Sequence, residues 1–226
     1  HWAEKKPEVK PGGWAFQYQN PFYPDLDDTA LVGMAFHRKN PKLHNQVITR
    51  TANWIIGMQS KNGGWGAFDA DNTHHYLNHI PFADHGALLD PPTSDVTARC
   101  ISFLSQIGHE KNRVVTKGIE FLKQEQENDG SWFGRWGTNY IYGTWSVLSA
   151  LNAAGINMNE GFVKKGANWL KSKQNDDGGW GESNDSYYPP KHYRPCKSTA
   201  FQTAWAVSYT HLRAHETLRY LVCRLL

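Results

Sequence analysis

An internal repeat constrains the fold of this chain more than any other feature of its sequence. Three segments, residues 50–65, 117–132 and 165–180, overlay without a gap, and each ends in Gly-x-Trp. Each also carries a glutamine five positions after a shared aromatic position: Gln59, Gln126 and Gln174. Because units that repeat at this period stack and bury a shared core, the pattern predicts a chain of stacked helical units.

The first half of each unit has the spacing of an amphipathic helix. For the second segment, the apolar positions on one helical face begin two residues before it and are Val115, Gly118, Ile119 and Leu122. Turn sequences such as Asn-Asp-Gly and Asn-Gly-Gly then end the helix. We expect the glutamine to bond neighbouring backbone groups while the tryptophan indole covers it, which ties one helix end to the next loop.

Other helical segments alternate with the repeated ones. They are predicted over residues 27–39, 94–107 and 140–154, with a further helix that starts near Ser198. The alternation predicts an all-α fold, an α/α toroid with the repeated helices outside and the intervening helices inside. Over this length of chain the toroid would be an incomplete barrel.

A cluster of acids precedes the first intervening helix. Asp25, Asp27 and Asp28 fall within four residues, directly ahead of an apolar run. Either Asp27 or Asp28 is expected to cap that helix. A third carboxyl group adds like-charge repulsion, which raises at least one pKa if the group is buried, and a carboxyl group that keeps its proton is a candidate acid catalyst.

Composition excludes several classes of function. The net charge is +3 and no run of Lys and Arg is long enough for a nucleic-acid site. Three cysteines without metal-site spacing favour a reduced, cytoplasmic location over a disulfide framework. There is no apolar stretch long enough to span a membrane, although binding at a membrane surface stays open. The ten tryptophans are expected either to fix loops by packing against them or to line a cavity.

Acids and histidines also gather in the longest link, residues 66–93. The link contains Asp69, Asp71, His74, His75, His79, Asp84 and His85. Adjacent histidines point apart and no pair has a fixed helical spacing, so that a polar loop is favoured over a metal site.

Several ordered motifs resemble the squalene-hopene cyclase family of class II triterpene cyclases. They are the segment at residues 11–17, the Asp-x-Asp-Asp-Thr-Ala run at 25–30, the three repeats, which match the family's QW motif, and the segments at 62–69, 90–98 and 130–137. The resemblance extends from His1 to about Ala206.

The resemblance implies roles for the acids and their neighbours. Asp27 matches the general acid that protonates the terminal double bond of squalene, and Asp25 and Asp28 match its supporting acids. Asp95 and Arg99 match the next important pair. Arg99 stands where the family's best-known pattern has His, and a cation beside Asp27 would strengthen it as an acid. An ordinary pair of charges on a helix face is the alternative reading.

Aromatic residues are the other half of the implied site. Phe16, Phe68, Trp136 and Tyr142 match positions that line the cyclisation cavity, and Tyr142 is also placed among the catalytic residues. Phe82 matches the neck of the substrate channel. An aromatic face stabilises a desolvated cation by about 0.5 to 2 kcal/mol. Core packing is the alternative for each of them.

The implied activity is an isomerase reaction, the protonation-initiated polycyclisation of squalene to hopene-type pentacycles in hopanoid biosynthesis. No cofactor and no metal are needed, and the partners are the lipid-soluble substrate and, through the parent protein, the cytoplasmic face of a membrane. A homodimer is the remaining partner expected. The alternatives are a class II cyclase for another isoprenoid, and a non-catalytic helical-repeat scaffold.

The chain itself is expected to be a piece of a larger enzyme. Residues 1–206 are assigned to a partial catalytic barrel domain, which we expect to be inactive alone. Residues 207–226 place charges and histidines on every helical face, and we expect this tail to be foreign to the domain.

Overall fold

A computed structural model describes residues 2–74, 76–77 and 89–217, with side chains through residue 208. Eight α-helices lie in this part of the chain: α1 (Trp2–Lys5), α2 (Leu26–Lys39), α3 (Asn45–Gly57), α4 (Ser94–Gln106), α5 (Arg113–Gln124), α6 (Asn139–Ala153), α7 (Gly161–Ser172) and α8 (Ala200–Thr217). The strands in it are β1 (Trp14–Ala15) and β2 (Pro24–Asp25), which pair antiparallel. The predicted all-α class is confirmed.

The chain divides into two compact units, His1–Gln124 and Glu125–Leu226. In the first unit α2 packs against both α3 and α4, and α5 packs against α4. Gly33 lets α2 approach α4 closely, because a Cβ atom at this position would lie 2.6 Å from the Phe103 ring. Leu26 and Ala30 of α2 are fully buried in this core.

In the second compact unit, Glu125–Leu226, α6 packs against α7 and α8. Eleven of the fifteen residues of α6 are buried, as expected for an intervening helix. The predicted domain boundary between residues 206 and 207 falls within α8, and it stays a prediction.

The repeated helices form where the sequence predicts them, as α3, α5 and α7. Gln59 Nε2 donates to the carbonyl oxygens of Gly63 and Val114, at 2.7 and 2.8 Å. Gln126 Nε2 makes the same pair of bonds to Gly130 and Phe162. The bonds to Gly63 and Gly130 confirm the predicted tie of a helix end to the next loop. The bonds to Val114 and Phe162, in the first turn of the next repeated helix, were not predicted.

The loop glycines share one conformation. Gly63, Gly130 and Gly178 occupy the same place in the three units, with φ of 93°, 101° and 81°. This left-handed region is open to glycine at no steric cost, which explains why the repeat keeps Gly here.

A further bond recurs after each loop. The backbone N–H of Trp65, Trp132 and Trp180 donates at 3.0 Å to the hydroxyl oxygen of Thr97, Thr144 and Thr203 respectively. Each threonine lies in the first turns of the following intervening helix. The N–H of Trp14 donates in the same way to Thr29, at 2.7 Å. The Gly-Gly-Trp at residues 12–14 therefore shares this bond with the ends of the three repeats.

Candidate active site

Asp25 is the N-cap of α2. Its backbone is extended, with φ −104° and ψ 132°, and its carboxylate accepts a 2.8 Å bond from the N–H of Asp28. The prediction that Asp27 or Asp28 caps this helix is wrong. The β pairing of Asp25 with Trp14 holds Asp25 in the extended conformation that a cap requires, so that the helix begins one residue earlier than expected.

Burial perturbs the acid cluster. Desolvation is the largest cause that raises the pKa of Asp25 to about 7; the Asp28 N–H opposes it, and the charges of Asp28 and Asp27 add to it. Burial also raises the pKa of Asp28, with a contribution from Asp27, whereas Arg99 lowers it. The expectation that at least one pKa in the cluster is raised is confirmed, although burial contributes more than charge repulsion.

Arg99 reaches the cluster from α4. Its Nε donates to Asp27 Oδ1 at 2.8 Å, and the two side chains are 18% and 23% exposed. The expected cation beside Asp27 is therefore present. Asp95 lies in the first turn of α4 and is 1% exposed. Joint action of Asp95 and Arg99 stays a prediction.

The acid run is joined to a loop that carries an aromatic candidate. The N–H of Leu26 donates to the carbonyl of Ala67 at 2.7 Å. The next residue is Phe68, which lines a pocket of about 240 Å³ together with Phe16, Gln17, Asn20 and Tyr23. Phe16 is 69% exposed. The structure thus brings Phe16 and Phe68 to one pocket. Their predicted contact with substrate stays a prediction.

Two sequence-predicted residues lie in the second unit. Tyr142 is buried in α6, with its ring centroid 5.0 Å from that of Trp205. Trp136 is 46% exposed and lines a pocket of about 260 Å³, with the Arg135 guanidinium 5.4 Å above its ring. Their predicted contacts with substrate stay predictions.

A buried carboxyl group accepts hydrogen bonds from the first turn of α6, the helix that carries Tyr142. Glu182 is 3% exposed and accepts bonds of 2.9 Å from the N–H groups of Tyr140 and Ile141, in the first turn of α6. Burial raises its pKa, and those backbone bonds oppose the shift.

Phe82 lies outside the described residues, as do His75, His79, Asp84 and His85 of the same link. Among the residues that the structure does describe, no group of three or more His, Cys, Asp or Glu side chains could hold a metal ion. Among the helices that the structure describes, none combines the length and the apolar character of a membrane span.

Two residues that bond to the candidate site were not found from the sequence. Thr29 accepts the Trp14 N–H and so joins α2 to β1, which directly precedes Phe16. Asp90 accepts N–H bonds from the loop that carries Phe68. Both belong to motifs that carried the resemblance, and this membership was the available signal.

The sequence of the chain is similar to those of known squalene-hopene cyclases. The sequence model described as the squalene-hopene cyclase C-terminal domain matches residues 1–219. The squalene-hopene cyclase of Schizosaccharomyces japonicus is 61% identical over 91% of this chain, and that of Alicyclobacillus acidocaldarius is 51% identical over the same share. The chain spans 32% and 33% of the lengths of these two relatives.

Solved structures show the same fold. The chain is similar to the type II terpene cyclase MstE from Scytonema, both without ligand and as a single-residue variant in complex with merosterolic acid A. Each comparison has a TM-score of 0.64 and covers 92% of this chain and 55% of the other. Sequence identities are 15% and 16%, so that the likeness concerns the helical architecture of the terpene cyclases alone.

Proposed function

The chain belongs to the squalene-hopene cyclase C-terminal domain family, and we propose that the protein that contains it cyclises squalene to a hopene-type pentacyclic triterpene. The observation that carries the proposal is the acid cluster at the start of α2. It combines a buried carboxyl group whose pKa is raised to about 7, Asp25, with a second carboxyl group, Asp27, held by a guanidinium group. A scaffold has no use for clustered acids that destabilise it.

Protonation starts the proposed reaction. An alkene is a very weak base, so its protonation needs a strong acid in a pocket from which water is excluded. The O–H bond of the Asp27 carboxyl group breaks, and the proton forms a C–H bond with the π electrons of the terminal double bond. The products of this step are a tertiary carbocation and the Asp27 carboxylate. Loss of a proton at the end of the ring closures makes the overall reaction an isomerisation.

Arg99 favours the protonation step because it stabilises the Asp27 carboxylate that this step produces. A guanidinium group has a permanent charge and stabilises the anion formed at Asp27 when the proton departs. Asp25 and Asp28 flank Asp27 in the chain, and burial raises the pKa of both. The raised pKa of Asp25 supports a proton held within the cluster near neutral pH.

Aromatic faces then stabilise the moving positive charge. Each face contributes about 0.5 to 2 kcal/mol to a desolvated cation. We assign this part to Phe16 and Phe68, which share one pocket, and to Trp136 and Tyr142 in the second unit. Phe82 is proposed as a gate to the channel.

The proposed substrate also suggests where in the cell the protein is located. Squalene dissolves in lipid, so we propose that the whole protein lies on the cytoplasmic face of a membrane and takes its substrate from the bilayer. Because the chain spans about a third of the length of its relatives, it is expected to be inactive by itself. A homodimer remains part of the proposal, to be tested by size-exclusion chromatography with light scattering.

The test uses the gene that encodes this chain, expressed at full length without residues 207–226 if that tail is not encoded in the genome. The protein is incubated with squalene in detergent, and products are analysed by mass spectrometry. Pentacyclic product is expected from the wild type and from Asp71→Asn, and none from Asp27→Asn. Asp71 is a matched control because its carboxylate accepts a bond from the Lys61 N–H, outside the acid cluster, and Asn can accept the same bond.

Other outcomes would contradict the proposal. A folded wild type that leaves squalene unchanged but cyclises another isoprenoid favours the second reading, a class II cyclase with a different substrate. A folded protein that cyclises neither favours the scaffold. Flotation with liposomes tests the membrane proposal, which fails if the full-length protein stays with the soluble fraction.

A further inference from the structure

The carboxyl group of Asp90 binds three consecutive backbone amides. Oδ1 accepts from the N–H of Ala67 at 3.0 Å, and Oδ2 accepts from the N–H groups of Phe68 and Asp69 at 2.6 and 2.8 Å. These partners lie 21 to 23 positions earlier in the chain. One side chain thus fixes a whole turn of a loop that has no regular secondary structure to hold it.

That loop contacts the candidate site at two points. The carbonyl of Ala67 accepts the N–H of Leu26, the residue between Asp25 and Asp27. Phe68 lines the pocket that Phe16 also lines. A shift of the loop would therefore move the backbone of the acid cluster and one wall of the cavity together.

The approach of Asp90 to this loop is tight. A Cβ atom on Gly66 would lie 2.6 Å from the Asp90 carbonyl oxygen and 2.9 Å from Oδ2. Glycine at this position therefore lets the carboxyl group come within hydrogen-bond distance of three amides. The arrangement leaves no room for a longer side chain at residue 90 without displacement of the loop.

From this arrangement we propose that Asp90 is a positioning residue for the cyclisation. It does not contact the reacting atoms; it sets the positions of Asp27, through Leu26, and of Phe68. The inference rests on the proposed function for its catalytic consequence. Its structural consequence, the coupling of Asp90 to the Leu26 amide, stands apart from any activity and can be measured separately.

The three loop amides require a carboxylate at position 90. Three N–H groups point at two oxygens, and both oxygens must accept. Asparagine offers one acceptor oxygen and an NH2 group, which would meet an N–H donor head on, so that at least one loop amide loses its partner. Glutamate keeps both acceptors but is one methylene longer, so its carboxyl group should displace the loop and weaken the bonds to the loop amides.

The first experiment measures hydrogen exchange in the full-length protein. In Asp90→Asn, the amides of residues 67–69 and the Leu26 amide should exchange at least tenfold faster than in the wild type, while helices α5 and α7 keep their rates. Asp71→Asn, two residues beyond Asp69 in the same loop, should leave all of these rates unchanged, because the introduced asparagine can still accept the Lys61 N–H. If Asp90→Asn does not fold, Asp90→Glu takes its place with the same expected pattern.

The second experiment measures products from squalene. Asp90→Asn should lower kcat by about 10- to 100-fold with KM within about threefold of the wild type, and it should raise the share of partly cyclised products. In a Phe68→Ala background the same substitution should change the product ratio by less than about twofold, because two changes that act through one group are not additive.

The outcomes separate the two proposals. Faster exchange at residues 67–69 and at Leu26, in a protein that does not cyclise squalene, supports the coupling and overturns the proposed function. Wild-type products and wild-type exchange in Asp90→Asn, or in Asp90→Glu where that variant replaces it, overturn the role of Asp90. So does faster exchange that is uniform along the chain, or a product change of the same size with and without Phe68.

Discussion

Arg99 on α4 donates from Nε to Oδ1 of Asp27 on α2, at 2.8 Å, and this bond joins the two helices at the acid cluster. Asp25 is only two residues away in the chain but has a different environment, because it is 7% exposed and its pKa is raised to about 7, chiefly by burial. Neighbouring carboxyl groups whose environments differ in this way are suited to different proton-transfer roles.

Replacement of Arg99 should test the bond to Asp27. Arg99→Lys keeps a positive charge but loses the planar guanidinium group, so kcat on squalene should fall by about 10- to 100-fold, and Arg99→Gln should lose about 100- to 1000-fold. Steady-state kinetics of the full-length protein measure both. Arg38→Gln is the matched control, since Arg38 also joins α2 to α4, through Gln106, but at an exposed position. Equal losses at both arginines would indicate that helix packing, and not the acid, is affected.

Asp25 should make stability depend on pH in an unusual direction. Its pKa is 3.8 when unfolded and about 7 when folded, so between these values the folded state alone holds the proton. Each pH unit in that window then favours unfolding by about 1.4 kcal/mol, and above about pH 7 the cost is constant. Asp25→Asn keeps a capping side chain and removes the cost. Its stability relative to the wild type should therefore rise by about 2 to 4 kcal/mol from pH 4 to pH 8 in urea unfolding.

A carboxyl group with the opposite shift serves as the control for Asp25. Burial acts to raise the pKa of Asp129, but bonds from Ser131 and Trp169 outweigh it and hold the pKa below its ordinary value. Its stabilising effect is therefore present at neutral pH and is lost as the pH falls through the folded pKa. Asp129→Asn should be less stable than the wild type at pH 8, with a deficit that shrinks towards pH 3. A gain at pH 8 for both variants would refute the assignment to burial at Asp25.

The repeat glutamines should differ in their contribution to stability. Gln126 Nε2 bonds to two carbonyl oxygens, of Gly130 and Phe162, whereas the bond that the structure gives Gln174 goes to Gly178 of its own loop. Gln126→Ala should therefore lower the free energy of unfolding by about 1 to 3 kcal/mol, and Gln174→Ala by less than about 1 kcal/mol. Urea unfolding measures both. Equal costs would contradict the idea that the tie to the next helix matters.

The parts of the molecule that the sequence predicts well are local. Helices α3, α5 and α7 follow from apolar spacing, and the role of Gln59 follows from a pattern that occurs three times. The cap of α2 does not follow from local sequence, because Asp25 owes its extended backbone to Trp14, which lies eleven positions earlier and on another strand. Asp90 is hidden from the sequence for the same reason: no local pattern shows that one carboxyl group binds three distant amides.

The repeated bond from a tryptophan N–H to a threonine hydroxyl group is also not predicted by the local sequence. Its contribution to stability can be tested by substitution of the threonine. Thr144 and Trp132 are both fully buried, and the N–H lies 3.0 Å from the hydroxyl oxygen. Thr144→Val keeps the shape of the side chain but leaves a buried N–H without an acceptor, which should cost about 1 to 3 kcal/mol. The control is Thr116→Val, whose hydroxyl group is exposed on α5 and should cost less than about 0.5 kcal/mol. Hydrogen exchange at the Trp132 amide should rise in Thr144→Val alone; an unchanged rate there would show that the hydroxyl group does not protect it.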